Sequence, residues 1–487
     1  MSVGRNTLYN LAGSALPVLA ALLTIPVYLQ HLGAERYGVL AIAWLLLGYF
    51  GLLDLGMGRA VARSLAMADV RDHGLRRRLL GTAMLLSAGV GLLVSLAAWP
   101  LAYWGFAEGF AMGAPLRAES LAALPWLLLA IPVTALSGVF TGALQATGQF
   151  LVLNVATAAG TVAAQVLPLA AVLVWGPELT HVLPVMLLTR LLTLGALAVL
   201  TARAGGVAVA PAWCRAQASM LLSFGGWVTV TSLVGPLMLV LDRLLIGAAV
   251  GVRAVTLYAV PFQLAERLLL VPAALGQALF PRLAAAGPDE ARALSDQAKH
   301  VILAVMTPLI LVAMALCGPF LAWWISPEFA QQAGTTARVL LLAFWINSLA
   351  FVPYAVLQAA GRPELVAKCH LVEVLPYAAL LYLALVTWGL PGAALAFLAR
   401  VAVDLGLLCW LERGATRFWR SFGAQAVLLT AVLVLAERPA LWGPAAWLAL
   451  AGLALLQLRW SLRHLPGDWR ARLLGRVRRV PLSDRPC

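Results

Sequence analysis

Charged residues are scarce in this sequence. Asp, Glu, Lys and Arg make up 11% of the 487 residues, whereas 62% of the residues are hydrophobic. Ordinary soluble domains carry about 25% charged residues. A water-soluble fold could not hide so much apolar surface from solvent. The composition therefore excludes a soluble globular protein and predicts a chain that lies mostly within a membrane.

Cysteine and enzyme motifs are also sparse. The five cysteines, at positions 214, 317, 369, 409 and 487, are odd in number and lack the paired spacing of metal ligands. The loops between apolar runs are short, and no zinc-helix, phosphate-loop or dinucleotide motif occurs in them. We therefore expect no disulfides, no metal centre, no cofactor and no enzymatic activity.

The net charge of +14 could suggest a nucleic-acid partner. The basic residues, however, lie in short loops and in a C-terminal tail, and no soluble domain is present to hold a duplex. We therefore expect no nucleic acid among the partners and attribute the charge to membrane topology.

Apolar runs recur along the whole chain, and most are near the length of about 20 residues that a helix needs to cross a membrane. The first run is long enough to span and is not followed by a small-residue cleavage site, so we retain it as a helix rather than a signal peptide. The sequence predicts an all-α polytopic membrane protein with about 14 transmembrane helices. The predicted spans are 7–30, 38–65, 79–105, 120–145, 150–175, 180–203, 217–247, 254–284, 299–325, 334–360, 365–388, 390–412, 422–436 and 440–462.

The basic residues indicate the orientation. If the N-terminus is cytoplasmic, the inside loops hold most of the positive charge, including Arg76 to Arg78, Arg203 and Lys299. Positive charge is retained on the cytoplasmic side during insertion, so both termini are expected to face the cytoplasm. The basic tail after the last span is either an amphipathic helix on anionic lipid or a disordered segment.

An internal repeat divides the chain. Leu144 to Gly148 reads LQATG and recurs as LQAAG from Leu357 to Gly361, at an offset of 213 residues. Similar offsets relate three further pairs, which are Trp175-Gly176 with Trp388-Gly389, Gly33 with Gly251, and Arg190 with Arg400.

Two halves of six spans each would enter the membrane in the same orientation, as parallel lobes related by a pseudo-twofold axis along the membrane normal. The predicted parts are an N-lobe at 1–203, an inter-lobe cytoplasmic linker at 204–216 and a C-lobe at 217–412. Two extra C-terminal helices at 413–462 and a basic tail at 463–487 complete the chain.

Arginines lie deep inside the predicted spans, where a charge costs about 2.5 to 3.5 kcal/mol on insertion scales. Arg190 lies near the midplane and has no acidic residue three or four positions away, so its partner must be another helix or a bound anion. Arg400 occupies the matching place, and Asp404 lies one turn on, where it could pair with Arg400. Arg59 and Arg267 complete the set of candidate substrate-binding arginines.

Arginine binds phosphate oxygens through its planar fork, so these residues are typical of a cationic cavity for a phosphate or diphosphate. Carboxylates inside the spans are then candidate sites for H⁺ or Na⁺ coupling. They are Asp54, Glu266, Glu373, Asp242 and Asp404. Each of these charges could equally serve as one half of an interhelical salt bridge that fixes packing.

Several motifs resemble one transporter family. They are Asn6 to Asn10 (NTLYN), Leu53 to Ala60 (LDLGMGRA), Asp242 to Gly247 (DRLLIG) and Leu357 to Gly361. Together they are similar to the polysaccharide transporters, the O-antigen and exopolysaccharide flippases, of the multidrug/oligosaccharidyl-lipid/polysaccharide exporter superfamily.

The resemblance implies a protein of the bacterial inner membrane that flips a polyprenyl-diphosphate-linked oligosaccharide by alternating access and works beside polysaccharide assembly proteins. Three alternatives stay open. They are a cation-coupled multidrug exporter of the same superfamily, a membrane polysaccharide polymerase or glycosyltransferase, and a scaffold subunit of an assembly complex.

Overall fold

The structure is a computed structural model that describes residues 3–52, 56–69, 72–205, 209–412, 417–438 and 443–464. In these ranges the chain is helical and contains no strand. Ten of the described helical segments are long and apolar enough to cross a membrane. The prediction of an all-α polytopic membrane protein is thereby confirmed. The helices are α1 Val3–Leu52, α2 Met57–Met67, α3 His73–Trp104, α4 Ala114–Ala146, α5 Phe150–Trp175, α6 Leu179–Gly205, α7 Arg215–Ala249, α8 Val252–Glu266, α9 Leu270–Ala285, α10 Pro288–Trp324, α11 Pro327–Ala359, α12 Pro363–Glu412, α13 Arg417–Ala436 and α14 Pro444–His464.

α1 is bent back on itself at a glycine. Gly33 has a φ of 77°, a left-handed conformation that glycine adopts at little cost. The rings of Tyr28 and Trp44 lie 5.7 Å apart, although an unbroken helix would separate these residues by about 24 Å. α1 therefore contains two helices that double back at Gly33, which accounts for the predicted boundary between the first two spans.

α12 contains a second reversal of this kind, at Gly389, where φ is 64°. Three residues later the chain passes so close to the preceding helix that a Cβ on Gly392 would lie 2.0 Å from the carbonyl oxygen of Ala384. Only glycine fits there. Residues 363–388 are called the first arm of α12 below, and residues 390–412 the second arm.

The internal repeat is visible in the backbone. Gly148 and Gly361, which follow the ends of α4 and α11, have φ values of 71° and 72°. In both places the amide of the next residue donates to the carbonyl five residues earlier, at 3.0 Å after Gly148 and 2.9 Å after Gly361. Two more repeat-related pairs share a positive φ, namely Gly33 with Gly251 and Gly176 with Gly389.

Backbone contacts divide the chain into unit 1, Met1–Val260, and unit 2, Pro261–Cys487. In unit 1, α2, α3 and α4 share an apolar core that includes Met57, Leu79 and Val139. In unit 2, α11 packs against α9, α10 and α12. The lobe boundaries read from the repeat stay a prediction.

The described end of the predicted linker lies against α3 within unit 1. The hydroxyl of Thr82 donates to the carbonyl of Ala212 at 2.9 Å and accepts from the amide of Cys214 at 3.1 Å. Gly81 makes room for this approach, because a Cβ there would lie 2.4 Å from the Ala212 nitrogen. Residues 209–214 are therefore anchored to α3 by both hydrogen-bonding functions of one hydroxyl.

Some predicted boundaries are wrong. The predicted span 38–65 is interrupted, because α1 ends at Leu52 and α2 begins at Met57 after Gly56, whose φ is 61°. The predicted span 254–284 comprises α8, a 3₁₀ turn and α9. The sequence predicts Lys299 in an inside loop, whereas it lies buried in α10. The basic tail, for which the sequence leaves an amphipathic helix and a disordered segment open, lies outside the described residues from residue 465 onward.

Candidate functional site

Arg190 projects from α6 of unit 1 towards α4. Its Nη1 donates a hydrogen bond to the hydroxyl of Thr134 at 3.1 Å, and that hydroxyl donates in turn to the carbonyl of Ala130 at 2.8 Å. Its Nε is buried and forms no hydrogen bond. Among the residues that the structure describes, no carboxylate lies within 4.0 Å of this guanidinium. The sequence-based expectation of a partner on another helix is met by a neutral hydroxyl.

A side chain of α6 packs closely on the backbone of α5 beside Arg190. A Cβ on Gly160 of α5 would lie 2.7 Å from the hydroxyl oxygen of Thr193, three residues after Arg190. The Thr193 hydroxyl donates to the carbonyl of Thr189 at 2.8 Å. Small residues allow membrane helices to approach closely in this way. The packing fixes α6 and thereby the position of Arg190 in unit 1.

A second set of charges meets between the two arms of α12 in unit 2. Nε of Arg400 lies 3.5 Å from Oε2 of Glu373, and Nε2 of His370 lies 3.5 Å from Oδ1 of Asp404. The expected pairing of Arg400 with Asp404 along one helix is thus wrong. The reversal at Gly389 brings the first arm against the second, so Arg400 meets a carboxylate across the helix pair.

In this His370–Glu373–Arg400–Asp404 group, called the α12 cluster below, the two carboxylates are buried, the other two side chains are partly buried, and the contacts are loose. Glu373 is 6% exposed and Asp404 is 4% exposed. Within the described part of the chain, neither carboxylate oxygen of Glu373 forms a hydrogen bond, and Nε of Arg400 forms none either. Their contact at 3.5 Å is longer than the roughly 2.7–2.9 Å of a strong charge-assisted hydrogen bond. The pair is therefore close enough to attract but not tightly bonded.

The repeat-related arginines consequently have different surroundings. Arg190 contacts a hydroxyl, whereas Arg400 contacts a carboxylate that belongs to the neighbouring arm. The sequence predicted a difference between them but placed the acidic partner of Arg400 on the wrong residue.

The other predicted site residues lie in varied surroundings. Arg59 is exposed on α2, and Asp54 lies outside the described residues. Asp242 is fully buried, and its carboxylate accepts a hydrogen bond from the backbone amide of Arg243 at 2.8 Å.

Glu266 ends α8 and is half-buried, whereas Arg267 begins the 3₁₀ turn and is exposed. In the described part of unit 2, neither of these two side chains forms an ion pair with the α12 cluster. The predicted carboxylates that the structure brings together are therefore Glu373 and Asp404.

Sequence reasoning missed His370. The available signal was its position three residues before Glu373, which places both side chains on one helical face. Across the described ranges, no group of three or more His, Cys, Asp and Glu side chains is placed to hold a metal ion. The α12 cluster thus combines one imidazole, one guanidinium and two carboxylates.

Comparisons with known proteins identify relatives. A family model described as "Polysaccharide biosynthesis protein" matches residues 3–286, more than half of the chain. A protein of Shigella flexneri named "Putative O-antigen transporter" is 28% identical over 417 residues, which cover 84% of this chain and 98% of that protein.

Two solved structures share the fold. The "Lipid II flippase MurJ, inward closed conformation" matches with a TM-score of 0.74 and 12% identity, over 96% of this chain and all (100%) of that chain. An inward-facing multidrug resistance MATE family transporter of the MOP superfamily matches with a TM-score of 0.70 and 14% identity, over 85% of this chain and 99% of that chain. At these identities the structural matches establish the fold alone.

Proposed function

The chain belongs to the polysaccharide biosynthesis protein family, and on that premise we propose that it flips a polyprenyl-diphosphate-linked oligosaccharide across the bacterial inner membrane. The cargo would be an O-antigen or exopolysaccharide unit, in keeping with the name of the Shigella flexneri relative. The name of this relative supports a membrane transporter rather than an enzyme. Polysaccharide assembly proteins are the proposed partners.

Arg190 is the observation that carries the proposal. A half-buried guanidinium in a membrane-spanning helix is costly, and a hydroxyl dipole does not neutralise its charge. An anion would supply the missing charge. Phosphate oxygens also match the donor geometry of arginine, because two parallel N–H groups can bind two oxygens. A diphosphate that links a lipid to a sugar is an anion of this type.

In the proposed mechanism, two lobes alternate between inward-open and outward-open states around a cationic central cavity. Arg190, Arg59, Arg267 and Arg400 would contact the diphosphate in this cavity. Coupling to H⁺ or Na⁺ would use one or more of the carboxylates Asp54, Asp242, Glu266, Glu373 and Asp404. The polyprenyl chain would stay in lipid while the sugar and diphosphate cross.

The proposal can be tested with purified protein in vesicles that contain a fluorescent polyprenyl-diphosphate oligosaccharide. Arg190→Ala is expected to slow flipping about 10- to 100-fold, because a hydrogen bond to a charged group contributes roughly 1.5–3 kcal/mol. Arg190→Lys retains the charge without the fork and should have an intermediate rate. The matched control is Arg203→Ala, an exposed arginine in the last turn of the same helix, which should flip at the wild-type rate.

Two outcomes would contradict the proposal. One is a wild-type flipping rate in the Arg190→Ala protein. The other is movement of cationic dyes but not of the lipid-linked sugar, which would favour the multidrug exporter. In cells, deletion of the gene should trap polyprenyl-diphosphate oligosaccharide on the cytoplasmic leaflet. If sugar addition to the lipid stopped instead, the protein would be an enzyme.

A further inference from the structure

We infer that the α12 cluster is a proton-loading site in which Glu373 and the anionic group of the substrate compete for Arg400. The identity of the anion rests on the proposed function, whereas the proton site rests on the cluster alone. The proposed function gives His370 no role, and it treats Asp404 and Glu373 as separate candidates for ion coupling.

The charge balance of the cluster favours proton binding. With His370 neutral, one guanidinium faces two carboxylates, and both carboxylates are more than nine-tenths buried. Buried charge without a counter-charge is strongly unfavourable in a protein interior. One proton shared among His370, Glu373 and Asp404 removes the excess negative charge.

The charges that act on Glu373 come from its own hairpin. They are Asp404, Arg400 and His370, and the thiol of Cys369 is adjacent. α11 packs against α12 but has no charged residue between Arg338 and its C-terminal end. The described helix that packs most closely on the hairpin therefore supplies no other counter-charge near the cluster.

The loose contact between Arg400 and Glu373 allows exchange. Their atoms are 3.5 Å apart without a hydrogen bond, whereas a phosphate could form two short, parallel bonds with the same guanidinium. When an anion binds Arg400, the carboxylate of Glu373 is left beside Asp404 with no cation between them. Glu373 then takes up one proton from solution, and its carboxylate becomes a neutral carboxyl group. Departure of the anion reverses both steps.

His370 is positioned to relay this proton. It lies one helical turn from Glu373 and 3.5 Å from Asp404, on the part of the hairpin nearer the end that we expect to face the cytoplasm. An imidazole has two ring nitrogens, so it can accept a proton on one nitrogen and donate a proton from the other. A carboxylate contact holds its ring between the two arms.

The test uses the full chain in nanodiscs of uncharged phosphatidylcholine, with farnesyl diphosphate as the probe. Calorimetric titrations in buffers of different ionisation enthalpy count the protons taken up for each bound probe. In the wild type, binding should tighten by up to about tenfold for each pH unit between about pH 8 and pH 6. The Glu373→Gln protein should bind farnesyl diphosphate more tightly than wild type at pH 8. It should also lose the part of the pH dependence that arises from the protein rather than from the phosphates of the probe.

Comparison of Glu373→Gln with wild type removes the probe's own phosphate titration, which is common to both. The matched control is Glu364→Gln, an exposed glutamate in the first turn of α12, which should behave as wild type. Arg400→Gln should weaken binding at least tenfold at every pH. If a variant fails to fold, the number of protons that the wild type takes up for each bound probe decides the question. If that number never exceeds the number that the probe's own diphosphate takes up, the proposal is contradicted.

Other results also overturn the inference. Equal pH dependence in wild type and Glu373→Gln would show that Glu373 does not exchange with the anion. Replacement of the proton effect by Na⁺ at constant pH would assign the site to sodium. Vesicle flipping with no proton linkage would refute this inference and leave the proposed function standing. Proton uptake by ligand-free protein together with no binding of farnesyl diphosphate would refute the competition and the proposed substrate class together.

Discussion

Lys299 Nζ lies 2.6 Å from Oε2 of Glu412, and both side chains are almost completely buried in unit 2. The ammonium group also lies 5.5 Å from the centre of the Phe418 ring, near the start of α13. This contact joins α10 to the end of α12 and to α13. α13 lies outside the repeat of two six-helix halves that the sequence predicts. The charged pair and the Phe418 ring hold the start of α13, which is the end that we expect to face the cytoplasm.

Removal of one partner of this pair should be strongly destabilising. Lys299→Ala or Glu412→Ala leaves the other charge buried and unpaired, which costs about 3–5 kcal/mol. Replacement of both by Met and Leu should recover most of the loss. Unfolding in detergent and denaturant measures these changes. Arg292→Ala is the control, because the Arg292–Asp289 pair is exposed and its loss should leave stability unchanged. A single variant as stable as wild type would contradict the expectation.

Gly148→Ala and Gly361→Ala should lower the free energy of unfolding by similar amounts, about 1–2 kcal/mol each. Both glycines have left-handed backbone, and an added Cβ would meet no atom within 4 Å at either site. The cost therefore comes from backbone conformation alone. Gly195→Ala has the same open space in helical backbone and should be neutral or stabilising. Clearly unequal losses at the two sites would argue against structural equivalence of the halves.

Thr82→Val should loosen residues 209–214 from α3. The substitution keeps the side-chain shape but removes the hydroxyl that bonds Ala212 and Cys214. Loss of these two hydrogen bonds, about 0.5–1.5 kcal/mol each, should raise maleimide labelling of Cys214 by about fivefold to a hundredfold. The other cysteines are first replaced by serine. Thr82→Ser retains the hydroxyl and should label as slowly as wild type, and equal rates for Val and Ser would refute the anchor.

Gly142→Ala should displace α2. A Cβ at Gly142 of α4 would lie 2.1 Å from the carbonyl oxygen of Gly58. Because both groups belong to helix backbones, the clash can be relieved only if one helix moves. Overpacking of this kind costs about 1–3 kcal/mol. Because Arg59 follows Gly58, flipping should fall together with thermal stability. Gly89→Ala meets no atom within 4 Å and should change neither measurement, whereas a fully active Gly142→Ala protein would show that the position of α2 is unimportant.

The sequence predicted the helices well because the signal is local. An apolar run of sufficient length must form a helix in a membrane, since its backbone groups have no other hydrogen-bonding partners there. The boundaries around Gly56 and at the 3₁₀ turn of residues 267–269 were missed. Both interruptions lie beside charged residues, Asp54 and Arg59 in one case and Glu266 and Arg267 in the other, but the flanking residues are apolar enough that each segment still has the length and composition of one span.

The candidate site was only partly predictable. The depth of Arg190 and its lack of a nearby acid can be read from the chain, and the structure gives it a hydroxyl partner. The partner of Arg400 could not be read in the same way. Asp404 is one helical turn away in sequence, yet Glu373 is the carboxylate in contact, because the fold-back at Gly389 outweighs proximity along the helix.

The sequence by itself determined the membrane setting, the helical class, the repeat and the family of this protein. These properties depend on composition, on run length and on glycines whose conformations are fixed locally. Only the tertiary structure decided which charges meet. Lys299 and Glu412 are 113 residues apart in the chain, and His370 meets Asp404 across a helix pair. Such contacts depend on how helices pack, and a linear pattern of residues does not specify the faces that two distant helices present to each other.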